Sequence, residues 1–69
     1  MKEVIVIGAG GHSSVIIEII EAMIDYGHDL KIKGLLDDNE KISEFMGYKI
    51  IDKIENASLY NSEDTEYVI

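Results

Sequence analysis

Cysteine is absent from this 69-residue chain, histidine occurs only at His12 and His28, and aromatic residues make up 7 %. Without thiols there is no disulfide framework, and two histidines do not make a metal cluster, so neither staple that small domains rely on is expected. Basic residues are scarce too: six Lys+Arg stand against fourteen Asp+Glu, for a net charge of −8. Nucleic-acid binding needs clustered cations that this chain lacks, which sets aside DNA, RNA and anionic membranes as partners. Long apolar runs are missing as well. The opening run Val4-Ile5-Val6-Ile7 is far too short for a signal peptide or a membrane span, and a cytoplasmic chain is the default expectation.

What is present is aliphatic. Hydrophobic residues make up 46 % with little aromatic bulk, the composition of a parallel α/β interior. A chain of this size buries only roughly 60 % of the surface its unfolded form exposes, so it holds one domain at most. Val4 to Ile7 is an unbroken β-branched run ending at Gly8, which suits a strand buried on both faces. From Ser13 to Tyr26 the acids Glu18, Glu21 and Asp25 form one helical stripe, with Val15, Ile16, Ile17, Ile19, Ile20, Met23 and Ile24 filling the rest. The Val15-Ile16-Ile17 triplet alone favours a strand, but the length and the period of the stripe favour a helix, closed by Gly27 as a left-handed cap.

Leu30 to Leu36 returns as a second strand and stops at the turn-forming triplet Asp37-Asp38-Asn39. Strand, apolar helix and strand make a βαβ unit with parallel strands. Beyond it the pattern predicts a helical turn over Lys41 to Phe45, a short strand over Gly47 to Ile51, one or two helical turns from Asp52 to Ala57, and a last strand from Glu66 to Ile69. The fold class expected is therefore α/β: a partial Rossmann-like domain with a small parallel sheet and a glycine-rich strand-to-helix loop.

That loop, Gly8-Ala9-Gly10-Gly11-His12-Ser13, joins a buried strand to the start of a long helix. Glycines let the chain turn sharply and let a phosphate approach with no Cβ in the way, while the first helical turn offers unpaired N–H groups and a partial positive charge. Backbone donors can hold a diphosphate without basic residues. Acids are concentrated after residue 35, where nine acids and three lysines fall, against five and three before it, so they do not crowd the loop. Against the dinucleotide fingerprint G-x-G-x-x-G, Gly8 and Gly10 match and Ser13 takes the third place. Asp37 falls at the strand end where dinucleotide enzymes place the acid that accepts from ribose. Carboxylates repel phosphate, so Asp37 and Asp38 would address hydroxyls, a uracil N–H or an amine, or else close a turn of their own. His12 stands at the anion site as a donor to phosphate or sugar, and His28 reads as an exposed residue past the helix end.

The stretch from Val4 to Ser13, followed by Gly34-Leu35-Leu36-Asp37-Asp38-Asn39 and Gly47-Tyr48-Lys49-Ile50-Ile51, resembles the N-terminal domain of the bacterial left-handed β-helix sugar acyltransferases. That family includes the sialic-acid O-acetyltransferases and the bacillosamine-pathway N-acetyltransferases, and the likeness runs in order over nearly the whole chain. It implies a Rossmann-like domain that binds a UDP-linked sugar. In the family a trimeric β-helix of hexapeptide repeats follows, binding acetyl-CoA and carrying the catalytic histidine. By position, Gly10, Gly11 and His12 match the family's substrate-binding tripeptide and Asp37 and Asp38 its acidic pair, whereas Ser13 stands where glycine is common.

The expectation that results is a single, truncated nucleotide-sugar-binding domain over residues 1–69 of an O- or N-acetyltransferase. Gly8, Gly10, Gly11, His12, Ser13, Asp37 and Asp38 form its site, and no catalytic residue, metal or bound cofactor is expected in this chain. Acetyl-CoA would belong to the parent family's other domain. Two alternatives stand beside it. One is an NAD-binding half domain of an oxidoreductase, which Gly8, Gly10 and Asp37 permit. The other is a non-catalytic interaction module that self-associates or meets another chain through its apolar helix and open sheet edges.

Overall fold

A computed structural model describes all residues from Met1 to Ile69. The β-branched run forms strand β1 (Lys2–Ile7), and the chain then turns at Gly8 into helix α1 (Gly11–Asp25). The return strand is β2 (Leu30–Leu36). A short hairpin follows, β3 (Glu44–Phe45) and β4 (Tyr48–Asp52), then a 3-10 helix (Ile54–Tyr60) and the last strand β5 (Thr65–Val68). The strands join in one sheet in the order β3-β4-β2-β1-β5, parallel throughout except for the antiparallel β3. Without the edge strand β3 the order is β4-β2-β1-β5, the 3-2-1-4 arrangement at the centre of a Rossmann sheet.

Two layers bury the sheet. On one face Val4, Val6, Ile32 and Leu35 pack against Ile17 and Ile20 of α1. Alternation along β1 turns Ile5 to the opposite face, where it is as fully buried as Leu36. The 3-10 helix is tied across to the strands of the sheet by the Tyr67 hydroxyl, which donates to the Ala57 carbonyl at 2.6 Å. The far side of α1 is less well covered. Val15, Ile19 and Met23 are exposed, and a groove of about 410 Å³ lies between that side and Val68 and Ile69 at the end of β5.

Local chemistry explains the boundaries. Helix α1 begins at Gly11, two residues before the Ser13 start that the pattern predicts, with Gly10 at the N-cap. It ends in a Schellman motif: Gly27 at φ +101°, its N–H on the Ile24 carbonyl and the His28 N–H on the Met23 carbonyl. His28 itself is exposed, as expected. The helical turn predicted over Lys41 to Phe45 does not form. Glu44 and Phe45 instead pair with Lys49 and Tyr48 across a two-residue turn, Met46-Gly47, with positive φ at both positions. That is the geometry of a type I′ turn, and a hairpin ladder outweighs the weak local helical preference. The turns predicted from Asp52 fall instead at Ile54–Tyr60, because Asp52 is still strand.

Two substitutions test this packing. Met46 sits at φ +55°, where asparagine is at home and methionine is strained, so Met46→Asn should raise stability by about 0.5–1 kcal/mol in a urea melt. Gly34 has the opposite constraint. A Cβ there would lie 2.8 Å from Ile51 Cγ2 and 2.9 Å from the Lys49 carbonyl oxygen, so glycine is what lets β4 come close to β2. Gly34→Ala should cost about 1–3 kcal/mol, read from the same melt. The hairpin is also tied to the helix by the Tyr48 hydroxyl, which donates to Glu21 at 2.7 Å. That bond, with desolvation, pushes the phenol up to about 12. Its contribution is complete below the ordinary phenol value of 10 and is lost as pH rises through about 12.

Candidate functional site

The carboxyl ends of three strands finish level. Ile7 pairs with Leu36, and Leu36 with Asp52. The main chain continues the row one residue further, the Gly8 N–H donating to the Leu36 carbonyl at 2.6 Å and the Asp37 N–H to the Asp52 carbonyl at 3.1 Å. This edge brings the Gly8 loop, Asp37 and Asp38 together beside β1, the strand from which the sheet extends to β2 on one side and β5 on the other. Ligands of open α/β sheets bind at that kind of switch point.

Each residue of the loop has a distinct place. Gly8 lies at φ +89°, a conformation that L side chains rarely adopt and that starts the turn into α1. Ser13 is buried, and its hydroxyl donates to the Gly8 carbonyl at 2.7 Å. The serine hydroxyl is thus used inside the loop, holding helix to strand. The first main-chain bond of the helix is from the Ser14 N–H to the Gly10 carbonyl, at 3.0 Å. The N–H groups of Gly10, Gly11, His12 and Ser13 therefore have no acceptor within the chain, as the first turn of a helix requires. His12 is exposed on that turn.

Gly10 and Gly11 are exposed, and a Cβ on either would meet nothing within 4 Å. Gly10 is extended at φ −174° and Gly11 is helical, so neither backbone conformation calls for glycine. Alanine at Gly11 would even favour the helix. The fold leaves this space clear without needing to.

The acids form the other wall. Asp37 Oδ2 accepts from the Ala9 N–H at 2.6 Å, and its Oδ1 accepts from the Asn39 N–H at 2.7 Å. One carboxylate thus clamps the glycine loop and closes an Asx turn after β2. Asp38 Oδ1 accepts from the Ile54 N–H at 3.1 Å, bracing the start of the 3-10 helix. Both acids therefore have structural partners. Each carboxylate oxygen has a second lone pair that can accept from a further donor.

A third acid belongs to this edge, and the sequence reading missed it. Asp52 Oδ1 accepts from the Lys53 N–H at 2.7 Å and from the Asn56 side-chain amide at 2.8 Å, and its Oδ2 accepts from the Tyr60 hydroxyl at 2.9 Å. The Asn56 amide above all, then the Lys53 N–H and the Tyr60 hydroxyl, hold this carboxyl below its usual range, and the same pairing raises the Tyr60 phenol. The bonds are in place above the ordinary carboxylate pKa and are lost as pH falls through the depressed value. The spacing Asp52-Asn56-Tyr60, four residues each time, was the available signal. It lay outside the glycine and strand-end motifs.

A Rossmann-like half domain with a glycine loop and three acids at the carboxyl ends of β1, β2 and β4 is the class that this arrangement defines. A family model described as the PglD N-terminal domain matches residues 3–69. The chain belongs to that family, the N-terminal sugar-binding domains of bacillosamine-type acetyltransferases, and so to the proteins of glycan biosynthesis. No curated protein and no solved structure matches it. No helix of the chain is long and apolar enough to cross a membrane.

Proposed function

We propose that this chain binds a UDP-linked sugar at the Gly8–Asp37 edge, as the substrate-binding domain of an acetyl-CoA-dependent sugar O- or N-acetyltransferase. The diphosphate lies over the first turn of α1, held by the N–H groups of Gly10, Gly11, His12 and Ser13. Helix-end N–H groups and the aligned peptide dipoles favour an anion there. Asp37 and Asp38 accept from hydroxyl, imide or amine donors of the same ligand, since neither can lie against phosphate. Gly8 supplies the turn, and the His12 ring adds a donor at the mouth of the loop. Acetyl-CoA and the chemistry of acyl transfer belong to other parts of such an enzyme, and a cytoplasmic setting suits both substrates.

The observation that carries this reading is the pair of glycines at positions 10 and 11, which the backbone does not need and over which nothing packs. Titration of the ¹⁵N-labelled chain with UDP and a UDP-sugar should move the amide signals of Gly10, Gly11, His12, Asp37 and Asp38 and leave those of Gly27 and Tyr48 in place. NADH should not displace the ligand. An unchanged spectrum at millimolar ligand, in a folded sample, refutes the proposal, and tighter binding of NADH replaces it with the dinucleotide alternative.

A further inference from the structure

The Asp52 carboxylate accepts three bonds from the chain itself, against two at Asp37 and one at Asp38, so it is the acid of this edge most taken up by its own neighbours rather than left to a ligand. Its partners show what it does instead. Its carboxylate gathers the Lys53 N–H, the Asn56 amide and the Tyr60 hydroxyl, while its main-chain carbonyl accepts the Asp37 N–H at 3.1 Å. The next N–H along, that of Ile54, goes to Asp38. Tyr60 is held from its face as well, with the Lys33 ammonium 5.7 Å from the ring centroid. The register between β2 and β4 skips Ile51, and the skip brings Asp52 opposite Leu36, with its carbonyl in reach of the Asp37 N–H.

We infer that Asp52, with Asn56 and Tyr60, is a positioning unit for this edge: it sets the backbone of Asp37 and the start of the 3-10 helix that Asp38 braces, and through the Asp37 carboxylate it fixes the Ala9 N–H and the glycine loop. The chain of bonds runs from the Tyr60 hydroxyl to the Asp52 carboxylate, from the Asp52 carbonyl to the Asp37 N–H, and from the Asp37 carboxylate to the Ala9 N–H. Every link is a hydrogen bond of 3.1 Å or less. The inference rests on the proposed function only for its effect on ligand affinity, because the loop geometry is measurable without ligand.

The test compares Tyr60→Phe, Asp52→Asn and Asp52→Ala by the chemical shift and hydrogen exchange of the Ala9 and Ile54 amides, and by UDP titration. Tyr60→Phe removes one oxygen and is the variant to rely on if Asp52→Ala does not fold. It should move the Ala9 signal and speed its exchange while the Gly27 and His28 amides in the α1 cap stay unchanged, and it should weaken UDP about tenfold, as when an outer support of a ligand site is lost. Asp52→Asn keeps an acceptor for Lys53 and Asn56 and should fall between Tyr60→Phe and Asp52→Ala. An unmoved Ala9 amide in Tyr60→Phe overturns the positioning role, and so does a uniform loss of protection that includes the α1 cap. If wild-type protein fails to bind UDP, the functional proposal falls while the Ala9 readout still decides this one.

Discussion

Replacing Gly11 by alanine will stabilise the fold and weaken the ligand, and the opposite signs are the point of the experiment. Gly11 is the first residue of α1, exposed, helical, and without any atom near the position of a Cβ. Alanine there relieves the entropic cost of a helical glycine, a gain of about 0.5–1 kcal/mol that thermal or urea denaturation will report. The same methyl group stands where the proposed diphosphate approaches the N–H groups. Losing one charge-assisted hydrogen bond of about 1.5–3 kcal/mol lowers affinity roughly 10- to 150-fold, and Gly11→Leu, with a longer side chain, should abolish binding. A glycine kept for the fold would behave the other way: alanine would destabilise, and UDP titration would be unaffected. Calorimetric titration on the stabilised variant therefore separates a site from a turn.

Asp37→Ala should be strongly destabilising for a change to a single polar side chain. It deletes both acceptors that hold the Ala9 and Asn39 N–H groups, at 2.6 and 2.7 Å. Two such bonds, one of them at an exposed position, contribute about 2–4 kcal/mol together. Against a total stability of roughly 3–10 kcal/mol for a domain of this length, that loss should lower the Tm by about 15–30 °C. Asp37→Asn retains one carbonyl oxygen but turns an amide NH₂ toward a backbone donor, so it should lie between wild type and alanine. Ligand affinity should fall in the same order, because the loop that carries the free N–H groups is released. Circular dichroism melts and UDP titration on the two variants give both orders. Equal stability of all three proteins would mean that Asp37 does not clamp the loop.

The βαβ core was legible because its signals are local and strong. A β-branched run, a long stripe with one polar edge and a glycine past its end describe β1, α1 and the cap almost residue for residue. The hairpin was not legible. Met46-Gly47 lacks the asparagine or aspartate that marks a type I′ turn, so the pairing of Glu44 and Phe45 depends on β4 being placed beside β2 first. The site divided in the same way. Gly8, Gly10, Gly11, Asp37 and Asp38 stand out as glycines after a strand and acids at a strand end. Ser13 is counted among the ligand-site residues, yet burial turns its hydroxyl onto the Gly8 carbonyl. Asp52 reads as one more surface acid in an acidic half.

The shortage of basic residues that first excluded nucleic acid also pointed, from sequence alone, to backbone amides as the donors for a phosphate, and the glycine loop is where the sequence offers them. Sequence likewise determined the α/β class and the family, because periodicity and the order of its motifs are properties of the chain itself. Tertiary structure decided which groups remain free to act. Hydrogen-bond donors and acceptors are identical in the sequence whether or not they are used. Only when β1, β2 and β4 end level does one carboxylate clamp a loop and another gather the residues behind it, beside the four N–H groups that the first turn of α1 leaves without a partner.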